Sequence, residues 1–207
     1  MKKIWDISPP VSEHSAVFPG DVPFSRKWTC QLNQGHSVNL SCVTFSPHVG
    51  AHADAPSHYH STGQSIENVP LETYLGECLV VTCQRRPLIL AQDCVIPLQQ
   101  KIPRVLFRTL SQPSPNIFNT DFTAFSSEAI QVLGKAGVKL IGIDTPSVDP
   151  ADSKNLLAHQ EIARWGILNL ENLDLTSVPD GCYELIALPL RWEGAEASPV
   201  RAILREL

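Results

Sequence analysis

Apolar positions along the chain fall mostly into short runs bounded by Gly, Pro, Asn, Asp or Ser, the pattern of β-strands. Val38 to Phe45, Leu79 to Cys83, Arg104 to Leu110, Val138 to Ile143, Gly166 to Leu170, Tyr183 to Leu188 and Val200 to Leu204 read this way. Two segments carry apolar residues at helical spacing instead. Ser126 to Gly137 begins with a serine suited to an N-cap and ends on a glycine stop, and Ala158 to Trp165 is closed by Gly166. Only the stretch 126–143 reads as a helix feeding a strand. No internal repeat or low-complexity segment interrupts the pattern, and 17 prolines and 11 glycines are spread evenly rather than gathered into a linker. Strands outnumber helices. The pattern predicts one strand-rich domain over residues 1–207, of α+β or mixed α/β class, with helices covering part of the core.

Composition narrows the class without changing that picture. Apolar residues make up 43% of the 207 positions and charged residues 18%, the balance of a chain that buries a core. The formal net charge is -5 and no run of Lys or Arg occurs, which argues against nucleic acid as the main partner, because phosphate binding needs a basic patch. Lys2 and Lys3 are followed by no apolar stretch of signal-peptide length, since Asp6, Pro9 and Pro10 break it, and no run approaches a membrane span. The expectation is a cytoplasmic protein without membrane contact. Cys30, Cys42, Cys78, Cys83, Cys94 and Cys182 form no C-x-x-C pair and read as reduced, small core fillers.

One stretch departs from ordinary composition. Four of the seven histidines lie in His48-Val49-Gly50-Ala51-His52-Ala53-Asp54-Ala55-Pro56-Ser57-His58-Tyr59-His60. It follows the predicted strand Val38 to Phe45 and contains Gly and Pro, so it is expected to be a loop beyond a strand end, where a rigid sheet holds chemically active groups. Imidazole nitrogen and carboxylate oxygen are the donor set of Zn2+, Mn2+ and similar ions, and desolvated His and Asp need partners. No cysteine lies in the stretch, which argues against a closed structural zinc site. Three ligands at this spacing leave a coordination position open to water, as catalysis requires. Asp54 has two oxygens and is able to bridge to a second ion, given further ligands from elsewhere. His159 and Glu171 are the remaining candidates. On the residues alone they read as a helix-surface histidine and a solvated strand-end carboxylate.

The segment 48–60 resembles the H-x-G-T-H-x-D-x-P-x-H motif of the cyclase family of metal-dependent hydrolases. Ile143 to Pro150, followed by Ser153, Lys154 and His159, resembles the kynurenine formamidase branch of that family, as do Phe18-Pro19-Gly20-Asp21, Leu185 to Leu190 and Ala197 to Ala202. The resemblance spans nearly the whole chain. It implies a swivelling β/β/α fold, a homodimer, and a site with two divalent metal ions, zinc foremost. By position, it implies that His48 and His52 hold the first ion, that His159 serves the second, and that Asp54 and Glu171 bridge. His58 matches the catalytic histidine and Phe18 a residue lining the substrate pocket. His60, just past the motif, takes a supporting place behind the ligands. Ala51 stands where the motif has Thr, which removes a hydroxyl able to orient a neighbouring ligand.

The implied activity is hydrolysis of a small molecule, N-formylkynurenine, to kynurenine and formate, the arylformamidase step of tryptophan degradation. Cutting such an amide near neutral pH needs an activated water, and metal ions lower the pKa of bound water from about 15.7 to about 7. It also needs a proton for the leaving aniline nitrogen, a task that falls to His58. The aromatic part of the substrate is expected to pack on Phe18 and a tryptophan. A serine hydrolase is the rival for the same reaction, but no G-x-S-x-G elbow occurs; Gly35-His36-Ser37-Val38-Asn39 lacks the second glycine. Two more rivals stay open on the residues: a cyclase-family hydrolase of another amide, such as isatin, and a non-enzymatic metal-binding module.

Overall fold

Runs such as Leu79-Val80-Val81 and Val105-Leu106-Phe107 are apolar at every position rather than at alternate ones, which asks for strands buried on both faces. The computed structural model of the chain, which describes residues 2–84, 86–111 and 116–207 with the side chain of Ile96 excepted, meets that demand. In chain order the strands are β1 (Ile4–Asp6), β2 (Ser25–Cys30), β3 (Leu40–Thr44), β4 (His52–Asp54), β5 (Leu75–Thr82), β6 (Leu88–Ile89), β7 (Arg104–Arg108), β8 (Ala124–Phe125), β9 (Leu140–Ile143), β10 (Leu168–Glu171), β11 (Gly181–Ile186), β12 (Ala197–Pro199) and β13 (Ile203–Arg205). The α-helices are α1 (Val95–Gln100), α2 (Ser127–Lys135) and α3 (Leu157–Trp165). Nine strands form one mixed sheet in the order β1-β13-β11-β5-β7-β9-β10-β4-β12. Its middle strands β5, β7, β9 and β10 are parallel, each joined to the next through one of the helices, and the flanks are antiparallel. The connector 200–202 joins β12, at one edge, to β13, beside the other edge. So short a link requires the sheet to curl until its two edges approach each other.

Alternation along the middle strands feeds two cores. Val80, Leu106 and Leu140 point into an apolar cluster with Trp5, Tyr74 and Leu185 inside the curl. Val81, Val105, Phe107 and Ile141 point the other way, against Ile130 and Leu133 of α2 and Ile162 of α3. The Ser126 side chain accepts from Ala129 N–H at 3.1 Å and caps α2, as its position ahead of the periodic run predicts.

The predicted strands are present with shifted ends, and the mixed α+β class holds. Four points differ. The segment Val200 to Leu204 is divided, because 200–202 is the link across the curl. The helix α1 and the strands β1, β2, β4, β6, β8 and β12 are too short or too polar to stand out. Three helices, not one, feed strands. Finally, only Cys78, Cys83 and Cys94 are buried core fillers; Cys30 is half-buried and Cys42 and Cys182 are exposed, though all six are free. Among the described residues no helix is long and apolar enough to cross a membrane.

Candidate metal centre

The two-residue period of a strand performs the first part of the assembly. β4 sends His52 and Asp54 to one face and Ala53 to the other, where Ala53 joins the core. β10 runs antiparallel beside it with Glu171 opposite His52 and Leu170 opposite Ala53, so Asn169 and Glu171 share the face of His52 and Asp54. The contacts follow from that register. His52 Nε2 lies 3.4 Å from Glu171 Oε2 and 3.5 Å from Asp54 Oδ1. Asn169 Nδ2 donates to Asp54 Oδ2 at 2.7 Å and to Glu171 Oε1 at 3.1 Å, tying the two carboxylates together.

The other histidines enter from turns and a helix. His48 stands in the turn before β4 with Nδ1 3.1 Å from Asp54 Oδ1 and Nε2 3.7 Å from Glu196 Oε1. His58 ends the 3-10 turn Pro56–His58 just after β4, its ring centroid 4.4 Å from that of His48. His159, in the first turn of α3, brings Nε2 to 3.5 Å from Asp54 Oδ2 and 3.8 Å from Glu171 Oε1. Asp149 holds the far side of that ring. It accepts from His159 Nδ1 at 2.7 Å and from the backbone N–H groups of Ala158 and His159 at 2.9 and 3.0 Å, a carboxylate on a helix N-terminus.

Both buried histidines have one ring nitrogen committed. His52 Nδ1 faces the Gly50 carbonyl at 2.9 Å and His159 Nδ1 faces Asp149; those oxygens only accept, so each Nδ1 carries a proton. In a neutral ring the lone pair of each Nε2 is then aimed at Asp54 and Glu171. His52 Nε2, His159 Nε2 and Asp54 Oδ1 are buried without a hydrogen-bond partner among the described residues. Lone pairs facing carboxylates in an enclosed site repel one another unless a cation sits between them. The donor types, their convergence and the orphaned atoms fit a divalent metal. His52, Asp54 and Glu171 bring ligand atoms within 4.8 Å of one another, as do His48, Asp54 and His58. In the absence of metal, protons take the cation's place. Burial opposes charge on His52, yet Glu171 and Asp54 raise it to about 9; burial opposes it on His159 too, yet Asp149 and Asp54 raise it to about 10. Burial also opposes charge on Asp54, but His159 and His48 hold it well below the usual carboxylate range. His58 goes the other way: the residue is exposed, but the desolvation its ring does suffer lowers it, with His48 and His159 adding repulsion against the pull of Asp54.

The cluster lines a cavity of about 820 Å³. Phe18 lines it too and meets Phe118 edge-on at 5.0 Å between centroids. The expected tryptophan is absent from the wall: Trp192 lies near Phe45, Trp5 packs on Tyr183, and Phe118 is the second aromatic. Three further expectations are corrected. The stretch 48–60 is a loop only at its ends, since His52–Asp54 is a buried strand. His159 and Glu171 are 3% and 4% exposed, neither helix-surface nor solvated. His60 is exposed and pairs with Thr62 at 3.1 Å, away from the cluster. Ala51 faces the apolar core and accepts Val200 N–H through its carbonyl, so the ligands are oriented by Gly50, Asp149 and Asn169 rather than from position 51. Gly50 has φ +73°, and a Cβ there would lie 2.5 Å from Val11 Cγ2, which reserves the position for glycine. Asp149, Asn169 and Phe118 escaped the reading of the residues. Two signals existed: an acidic residue ahead of a helix start, and an asparagine two positions before Glu171 on the same strand.

Residues 5–150 match the Cyclase family model. A kynurenine formamidase of Bordetella avium is 49% identical over 208 residues, covering 100% of both chains. A solved structure described as a potential metal-dependent hydrolase with cyclase activity superposes with a TM-score of 0.85 at 24% identity, covering 100% of this chain and 99% of that one. Isatin hydrolase A from Labrenzia aggregata superposes with a TM-score of 0.84 at 22% identity, covering 99% and 94%. At such identities the two structures speak for the fold alone. The family match and the end-to-end identity speak for descent, and the chain belongs to the cyclase family, on its kynurenine formamidase branch.

Proposed function

We infer that the chain hydrolyses N-formylkynurenine to kynurenine and formate. The formyl C–N bond breaks, the hydroxyl of water joins the formyl carbon and the proton joins the aniline nitrogen. The observation that carries this reading is the set of orphaned, buried donor atoms on His52 and His159, which line a cavity with an aromatic pair, and on the adjoining Asp54, in a chain half identical to kynurenine formamidases. His48, His52, Asp54, His159 and Glu171 would hold two divalent ions, zinc foremost. Ions so held polarise a carbonyl oxygen and make water nucleophilic near neutral pH.

The chain's own residues do the rest. Asn169, Gly50 and Asp149 hold the ligands in orientation, and Phe18 with Phe118 grips the aryl ring. His58 lines the cavity with a pKa lowered from 6.5, which supports a ring that is neutral at rest, takes a proton from water and hands it to the leaving nitrogen. A chain with a lone zinc-binding role would hold a saturated metal and release no formate. The test is formate release from N-formylkynurenine by metal-stripped and zinc-restored protein, with isatin opening as the comparison arm. No formate in the restored protein, or full activity in the stripped one, refutes the reading.

We further propose a homodimer in the cytoplasm. The ribbon of β2 and β3 exposes Trp28, Leu40 and Val43, an apolar surface of the kind that associates, and six free cysteines suit a reducing compartment. A monomeric mass by light scattering would refute the dimer.

A further inference from the structure

The cavity is acidic beyond the ligand set. Asp21, Asp144, Asp174 and Glu196 line it, and no Lys or Arg does among the described residues. Acidity near a metal centre says little by itself, but Asp144 stands apart from the other three. It follows directly on β9, whose parallel neighbour β10 ends at Glu171. It is only 8% exposed while still lining the cavity. Its oxygens accept from Thr109 alone among other described residues, from N–H at 3.1 and 3.0 Å and from Oγ at 2.7 Å. The nearby guanidinium of Arg108 is committed to Asp180 and Thr82. Burial pushes the Asp144 carboxyl up to about 6, against the pull of the Thr109 hydrogen bonds and of the Arg108 charge, which makes no ion pair with it. A buried carboxylate facing a cavity with no cation of its own gains more from an arriving cation than an exposed one does.

We propose that Asp144 anchors the substrate's α-ammonium, and that the cavity reads the cationic end of the amino-acid side chain and not its carboxylate. The proposal rests on the formamidase reading, which puts the formyl group at the histidine cluster and the aryl ring against Phe18 and Phe118. The side chain ortho to the formamide must then run along the wall. The register of β9 with β10, carried two residues on, sets Asp144 opposite Asn172, the neighbour of Glu171, and all three line the one cavity, so such a side chain passes from the histidine cluster to Asp144 along a continuous wall. The α-carboxylate meets no Lys or Arg among the lining residues and four carboxylates instead, so it stays at the solvent-facing mouth.

Three formamides distinguish the outcomes in the zinc-loaded wild type: N-formylkynurenine, its decarboxylated analogue, which keeps the ammonium, and its deaminated analogue, which keeps the carboxylate. Loss of a charge-assisted hydrogen bond predicts a fall of about ten- to a hundredfold in kcat/KM for the deaminated compound, carried by KM. The decarboxylated compound should stay within about threefold, since it loses no partner. In Asp144→Asn the preference for ammonium-bearing over ammonium-free substrate should collapse to about one, and kynurenine should bind correspondingly more weakly in calorimetry. Equal turnover of the deaminated compound, failure of the decarboxylated one, or a preference that survives in Asp144→Asn overturns the anchor. Should the variant not fold, the three-substrate comparison in wild type decides alone. Plain formanilide separates the two levels of inference: its hydrolysis without any ammonium preference overturns Asp144 only, whereas no formate from any of the four overturns the formamidase reading and the anchor with it.

Discussion

Asp149 offers the sharpest test of how the centre is held, because it touches a proposed ligand without being one. Its carboxylate takes three hydrogen bonds, from His159 Nδ1 at 2.7 Å and from two N–H groups of the first turn of α3 at 2.9 and 3.0 Å. In Asp149→Asn one oxygen becomes an amide, so either His159 or Ala158 loses its acceptor, and Asp149→Ala removes both. Residues that orient metal-bound histidines contribute about 10–100-fold in metal affinity, which is about 1.4–2.8 kcal/mol. At 2% exposure Asp149 is not screened by solvent, and the unpaired donors should lower the stability of the metal-free protein by about 1–3 kcal/mol. Zinc dissociation measured by chelator competition reads the first effect, and urea unfolding in the presence of a strong chelator reads the second. Zinc affinity within twofold of wild type in both variants would refute the argument, leaving Asp149 a helix cap and no more. Weaker zinc binding with unchanged metal-free stability would show that the two roles are separable and that the cap carries no energy.

Three further outcomes are expected. Asp54→Ala should lose metal and turnover together, whereas His58→Ala should keep its metal by elemental analysis and lose about 10²–10⁴-fold in kcat; metal loss in His58→Ala would make His58 a ligand, as its closeness to His48 and Asp54 allows. In metal-stripped protein His52 and His159 hold protons with values of about 9 and about 10 against 6.5, so their contribution to stability is complete below pH 6.5 and lost as pH rises through 9–10; Tm should fall across that window in the stripped protein and less in the zinc-loaded one, and a flat stripped profile contradicts the reasoning. Gly134→Ala should destabilise by about 1–3 kcal/mol despite Ala's helix propensity, because its Cβ would lie 2.4 Å from Trp165 Cγ between α2 and α3; a stabilised variant in urea unfolding would show that the helices part freely.

Much of this protein is legible residue by residue. The unbroken apolar runs announce strands buried on two faces, and Ser126 with the spacing behind it announces α2. The spacing of His48, His52, Asp54 and His58 announces a metal-binding stretch, because ligands a few residues apart can converge through local geometry alone. Tertiary structure decided the rest. His159 and Glu171 look like surface groups along the chain, since local periodicity reports which side of its own element a residue faces and not what covers that side. The pairing of β4 with β10 sets Glu171 opposite His52, and a slip of one residue would send His52 and Asp54 into the core and Ala53 into the site. The same register makes Asn169 a clamp on two carboxylates, and the docking of α3 turns Asp149 from a turn residue into the support of a ligand. A sheet curled until its edges approach, with two hydrophobic cores to fill, determines that register, and that is energy distributed over contacts far apart in the chain rather than written at any one position.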